Sequence, residues 1–182
     1  MIRNVLVISD LRGRLDVLEP LAERCREHGC EAVLVAGNIF SPGLRAEEWA
    51  RAQAEGRAPA APEAALHQEE EKNSQVLDTF LDWLSKLNVP AFLVPGALDA
   101  PERLFVQGVT DHTSISPRVV LVHRGFAELG TQHVVAGYDA GSIHVGTSLV
   151  VWPGRLDQGH YAVVDLHERV AVFGHLAEEK VA

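Results

Sequence analysis

Three unbroken apolar runs, each closed by a short polar or glycine-containing loop, constrain this chain more than any other feature. They are Val5-Leu6-Val7-Ile8, Ala32-Val33-Leu34-Val35-Ala36 and Pro90-Ala91-Phe92-Leu93-Val94. A short run without alternation suits a strand covered on both faces, as in a parallel sheet. The intervening segments read as helices. Leu15, Leu18, Leu21, Ala22 and Cys25 recur at spacings of three and four, and His28-Gly29 ends that helix. Leu77, Phe80, Leu81, Leu84 and Leu87 form a second stripe, ended by Asn88. The first half is therefore βαβαβ. In the second half, residues 119–122, 133–136, 149–152 and 161–164 read as short strands separated by Pro and Gly, with 170–173 as a further one.

Residues 41–75 differ in character. They are rich in Ala, Glu and Arg and are broken by Gly56, Pro59 and Pro62. That predicts a helical surface excursion in two pieces around a mobile joint. Glu69-Glu70-Glu71 reads as a solvated helix face. A length of 182 residues predicts a single domain over 1–182. Apolar residues make up 47% and charged residues 23%, as in an ordinary globular protein. No run reaches bilayer-spanning length, and the first apolar run is too short for a signal-peptide core. The expected setting is the cytoplasm, with no membrane partner. A net charge of −9 repels polyanions, which argues against nucleic acid as a partner. Cys25 and Cys30 form neither a CxxC pair nor half of a zinc site, so reduced, partly buried thiols are expected. The chain has no GxxxxGK[ST], GxGxxG or GxSxG motif.

The loops after the three runs are Ser9-Asp10-Leu11-Arg12-Gly13, Ala36-Gly37-Asn38 and Pro95-Gly96-Ala97-Leu98-Asp99. Ligands of open parallel sheets bind beyond the C-terminal strand ends, so these loops should converge. The framing segments VLVISDLRGRLDVLEPLAE, EAVLVAGNIF, VPAFLVPGALDAP and GTSLVVWPGRL followed by HYAVVDL resemble the calcineurin-like metallophosphoesterases, and in particular a divergent prokaryotic branch. The resemblance implies an α/β fold, a two-sheet sandwich flanked by helices, here truncated in its second half. It also implies a two-metal site built from Asp-x-His, Gly-Asp, Gly-Asn-His-Asp or -Glu, a lone His and Gly-His-x-His.

Against that pattern Asp10 is in place, but the following His position holds Arg12. The bridging Asp position holds Asn38, and the Asn-His of the third loop is Ala97-Leu98, with Asp99 retained. Gly141-Ser142-Ile143-His144 reads either as a worn Gly-His-x-His or as an ordinary turn into the next strand. His175 follows the closing hairpin, out of place for the motif. Two divalent ions about 3.5–4 Å apart require several anionic or imidazole donors. Asp10, Asn38 and His144 would hold at most one weakly bound divalent metal ion.

Each position also has a plainer reading. Asp10 suits a helix N-terminus, Asn38 a strand-end turn, and Asp99 a helix start before Pro101. Arg12 beside Gly13 is a candidate anion site with free backbone N–H groups, or a surface Arg paired with Asp16. The ligand-binding reading takes in Arg12, Gly13, Gly37, Gly96 and Asp99. His123 reads as a loop residue, and His112, His133, His160 and His167 have no partner visible in the sequence. Two functions follow as expectations. One is a phosphoester hydrolase with a degenerate metal site, weakly active or inactive. The other is a non-enzymatic module for a phosphorylated small ligand or a protein partner. An edge left open by the truncation would suit a homodimer.

Overall fold

The computed structural model describes residues 2–58, 60, 62–94, 96, 99, 112–122, 133–134, 140–145 and 148–176. Strand β1 (Asn4–Ile8) leads through a 3-10 turn (Leu15–Val17) to helix α1 (Leu18–Glu27). Strand β2 (Ala32–Ala36) follows, then α2 (Leu44–Glu55), α3 (Glu63–Lys86) and β3 (Ala91–Val94). The second half supplies β4 (His112–Ser116), β5 (Val119–Val122), β6 (His133–Val134), β7 (Gly141–Val145), β8 (Ser148–Trp152), β9 (His160–Asp165) and β10 (Val170–His175).

Among the described residues, seven strands form one sheet in the order β10-β9-β1-β2-β3-β5-β4, and three form another in the order β6-β8-β7. β1, β2, β3 and β5 pair in parallel, while β9 joins β1 antiparallel. Period-two alternation distributes the apolar runs between two cores. Leu6, Ile8, Val33, Val35 and Leu93 face Leu18, Leu21, Phe80 and Leu84 of the helices. Val5, Val7, Ala32 and Leu34 face the other way, against Leu149 and Val151 of β8. This sandwich explains why β1 and β2 lack polar alternation, and it bears out the expected fold class. Phe80, fully buried, stacks on Trp83 with ring centroids 5.7 Å apart.

The apolar stripe at 77–87 belongs to a longer helix than its periodicity indicated: α3 already begins at Glu63, just after Pro62. A proline ahead of the first helical residue starts the helix there, because residues before a proline avoid the α region. The joint between α2 and α3 is tied to α2. Gly56, at φ 64, caps the helix, and the Glu48 carboxylate accepts from Arg57 and from the Ala60 N–H. β4 and β7 are additions to the strands read from the sequence. Ala97, Leu98, residues 100–111, His123 and residues 135–136 lie outside the described residues.

Candidate functional site

The loop after β1 runs beside the loop after β2 as an extension of their pairing. Asp10 N–H donates to the Gly37 carbonyl (3.0 Å), Arg12 N–H to Asn38 (3.0 Å) and Gly13 N–H to Ile39 (2.8 Å). The path requires left-handed backbone at Asp10 (φ 55), Arg12 (φ 49), Gly13 (φ 74), Gly37 (φ 80) and Asn38 (φ 57). Gly, Asn and Asp are the residues that enter this region most readily. A third segment closes in from the β8–β9 connection. Leu156 N–H donates to the Ser9 carbonyl and Asp157 N–H to the Asp10 carbonyl, both at 2.9 Å. The Ser9 hydroxyl donates to the Gly154 carbonyl at 2.9 Å.

Asp10 sits at the centre, 3% exposed. Its Oδ1 accepts from Arg12 Nε (3.1 Å) and from Asn38 Nδ2 (3.0 Å), with Arg12 Nη2 also at 3.1 Å. The Ser9 hydroxyl lies 3.2 Å from Oδ2. Asn38 has to present its NH2 to this oxygen, since its amide oxygen would be repelled by a carboxylate. Arg12 therefore pairs with Asp10, and Asp16 takes Arg14 instead.

Asp99, 2% exposed, binds the second loop to the third. One oxygen accepts from the N–H groups of Asn38 (2.8 Å) and Gly96 (2.9 Å), the other from Ile39 (2.7 Å) and Phe40 (3.2 Å). Burial pushes its carboxyl above the ordinary value, while these four N–H groups pull it back toward ionisation. Gly96 allows the closeness: a Cβ there would lie 2.3 Å from Asn38 Oδ1 and 2.5 Å from its backbone N. Asp99 is thus a buried clamp on the Asn38 loop, a role the helix-start reading did not contain.

Asp10, Arg12, Gly13, Gly37, Asn38, Gly96 and Asp99 gather in one place, as the strand-end argument expected. His144 lies apart from this network: it is exposed on β7 of the three-stranded sheet, opposite Leu149. Gly141-Ser142-Ile143-His144 is itself strand, not a turn. Its polar side chains and lack of an apolar run concealed it. Among the described residues no three His, Cys, Asp or Glu side chains assemble in a way that could hold a metal ion. The free loop amides expected beside Arg12 and Gly13 are engaged by the Asn38 and Ile39 carbonyls. The 154–157 segment, which falls in the framing sequence up to Leu156, was not expected at the site; its contacts to Ser9 and Asp10 are mostly backbone bonds that no side-chain pattern announces.

Two stacked sheets, with acid, amide and guanidinium groups gathered where parallel strands end, define an α/β protein with a polar cluster at its strand ends. The family model described as metallophosphoesterase, calcineurin superfamily, matches residues 1–144, and the chain belongs to that family. Its fold is similar to one crystal structure with a TM-score of 0.74 and 21% identity, covering 97% of this chain and 100% of that one. It is also similar to the TT1561 protein of Thermus thermophilus, with a TM-score of 0.61 and 20% identity over 96% and 99% of the two chains. A structure described as a novel archaeal phosphodiesterase gives 0.51 and 12% identity, over 95% and 99%. No curated protein matches the sequence. No helix among the described residues is long and apolar enough to cross a membrane.

Proposed function

We propose that this chain is a metallophosphoesterase-family protein whose strand-end cluster no longer supports a two-metal centre, so that phosphoester hydrolysis is marginal or absent. The supporting observation is the occupancy of Asp10. Its Oδ1 is engaged by an Arg guanidinium and an Asn amide, so the carboxylate that would face a dication already faces a fixed cation. Arg12 cannot deprotonate and has no acceptor, and Asn38 contributes no charge. A pair of dications needs anionic and imidazole donors to offset it, and these residues do not fit that need. No hydrolytic step is therefore assigned to them.

The test is hydrolysis of a chromogenic phosphodiester in manganese, comparing the wild-type chain with Asp10→Ala. The reading expects the two to be indistinguishable. A wild-type rate that disappears with Asp10→Ala overturns it. A second reading, a metal-free site for a phosphorylated small ligand, draws on the Arg12 guanidinium in the cluster, with its side chain 16% exposed. It receives no help from the loop amides. Inorganic phosphate should then raise the melting temperature of the wild-type chain and leave that of Arg12→Met unchanged.

A further inference from the structure

The end of α1 carries two cysteines in a particular relationship. Cys30 N–H donates to the Cys25 carbonyl at 2.9 Å and Gly29 N–H to the Arg26 carbonyl at 3.0 Å, with Gly29 at φ 57. This is a Schellman cap, closed by a six-to-one and a five-to-two bond around a left-handed glycine. Such a cap brings the side chain of the residue two beyond the helix end onto that of the third-last helical residue. Here those two positions are Cys30 and Cys25. An apolar pair is the usual occupant, and two thiols in the same place are a potential cross-link. A disulfide requires Cα atoms about 4.4–6.8 Å apart, the order of approach that the six-to-one bond enforces.

Both thiols are free, and both residues are buried, at 4% and 8% exposure. They also line a cavity of about 540 Å³ between α1 and α3, together with Trp83, Arg26, Lys86 and Glu19. This cavity, which both residues line, is where a small reagent would approach them. The charges at its rim are paired, Arg26 with Glu19 at 3.6 Å and Lys86 with Asp82 at 2.6 Å, so the lining favours neither sign of reagent. A hydrogen bond from Cys30, assisted by Arg26, holds the Cys25 thiol below its ordinary value, and the same contact with burial pushes Cys30 up.

We propose that Cys25 and Cys30 form a thiol–disulfide exchange site for low-molecular-weight disulfides of the glutathione type. Cys25, as thiolate, attacks one sulfur of the reagent, breaking its S–S bond and releasing one thiolate. A mixed disulfide is left on Cys25. Cys30 then loses its proton and attacks the Cys25 sulfur, which closes the Cys25–Cys30 bond and expels the second thiolate. The protein dithiol is oxidised by two electrons, the reagent is reduced to two thiols, and each released thiolate takes up one of the two cysteine protons.

Incubation of the folded chain with oxidised glutathione tests this by thiol titration and intact mass. Both thiols should disappear together, with loss of two hydrogens and no lasting glutathione adduct. Cys30→Ala should instead retain the adduct on Cys25. Cys25→Ala, with no second thiol to close onto, should never show the loss of two hydrogens. Circular dichroism checks that both variants fold. The proposal fails if the folded wild-type chain keeps both thiols under conditions that oxidise it in guanidinium. It fails equally if the wild-type chain accumulates the mixed disulfide without closing it.

Discussion

Arg12 returns its guanidinium to Asp10 across a single intervening residue, placing Nε and Nη2 each 3.1 Å from Oδ1. Residues two apart on a helix do not face each other. They meet here because both have left-handed backbone, φ 55 and φ 49, which curls the loop back on itself. The pair is largely dehydrated, with side chains 4% and 16% exposed, and breaking one partner of such a pair leaves the other charge uncompensated.

Arg12→Met should therefore destabilise the fold by about 2–4 kcal/mol, since Asn38 and Ser9 replace only part of the lost interaction. The double variant Asp10→Asn, Arg12→Met should lose less than the sum of the two single changes. Urea denaturation of the four proteins of the cycle measures this coupling. Strict additivity would mean that the ion pair is inconsequential.

Asp99 offers two oxygens to four backbone N–H groups, and Asn at this position would turn one acceptor into a donor. Asp99→Asn should cost about 2–4 kcal/mol, because buried N–H groups would be left without acceptors. Chemical denaturation gives the value, and amide exchange should accelerate locally at Asn38, Ile39 and Phe40. A loss below about 0.5 kcal/mol would contradict the clamp.

Gly96→Ala tests the same junction through space alone. The added Cβ would fall 2.5 Å from the backbone N of Asn38, and backbone cannot give way as a flexible side chain can. We expect a loss of about 1–3 kcal/mol, with the Asn38 side-chain amide resonances shifted in NMR spectra. Wild-type stability with unchanged resonances would show that the two loops pack less closely than described.

Glu48 links stability to pH. Its hydrogen bond with Arg57, helped by the Ala60 N–H, holds its carboxyl down from 4.5 to about 2. A carboxyl depressed in the folded state contributes stability that is complete above the unfolded value. That contribution is lost as pH falls from about 4.5 to about 2. Glu48→Gln should accordingly be less stable than wild type at pH 7, with the gap closing across that window. A gap that stays constant with pH would rule out the assigned pairing.

The fold was legible where burial dictates composition. β1 and β2 are buried on both faces, and β3 is buried on one and half-buried on the other; all three carry unbroken apolar runs that can be read directly. β4 and β7 are edge strands of their sheets and carry no apolar run, HTSIS and GSIHV. Their pairing is made by backbone, which leaves no side-chain signature. The convergence of Asp10, Asn38 and Asp99 followed from their position at strand ends. What each side chain holds did not follow. The Asp10–Arg12 pair depends on two left-handed residues, and the Asp99 clamp on N–H groups some sixty positions away in sequence. His144 was placed by a motif fragment alone, and the strand it belongs to lies in the other sheet.

The central claim is that Asp10, held by Arg12 and Asn38, cannot help to anchor a pair of dications. Titration of the purified full chain with manganese, followed by calorimetry and by metal analysis after gel filtration, addresses this directly. The account predicts no stoichiometric retention of metal and a binding curve unaltered by Asp10→Ala. Two retained ions per chain, lost when Asp10 is replaced, would contradict it.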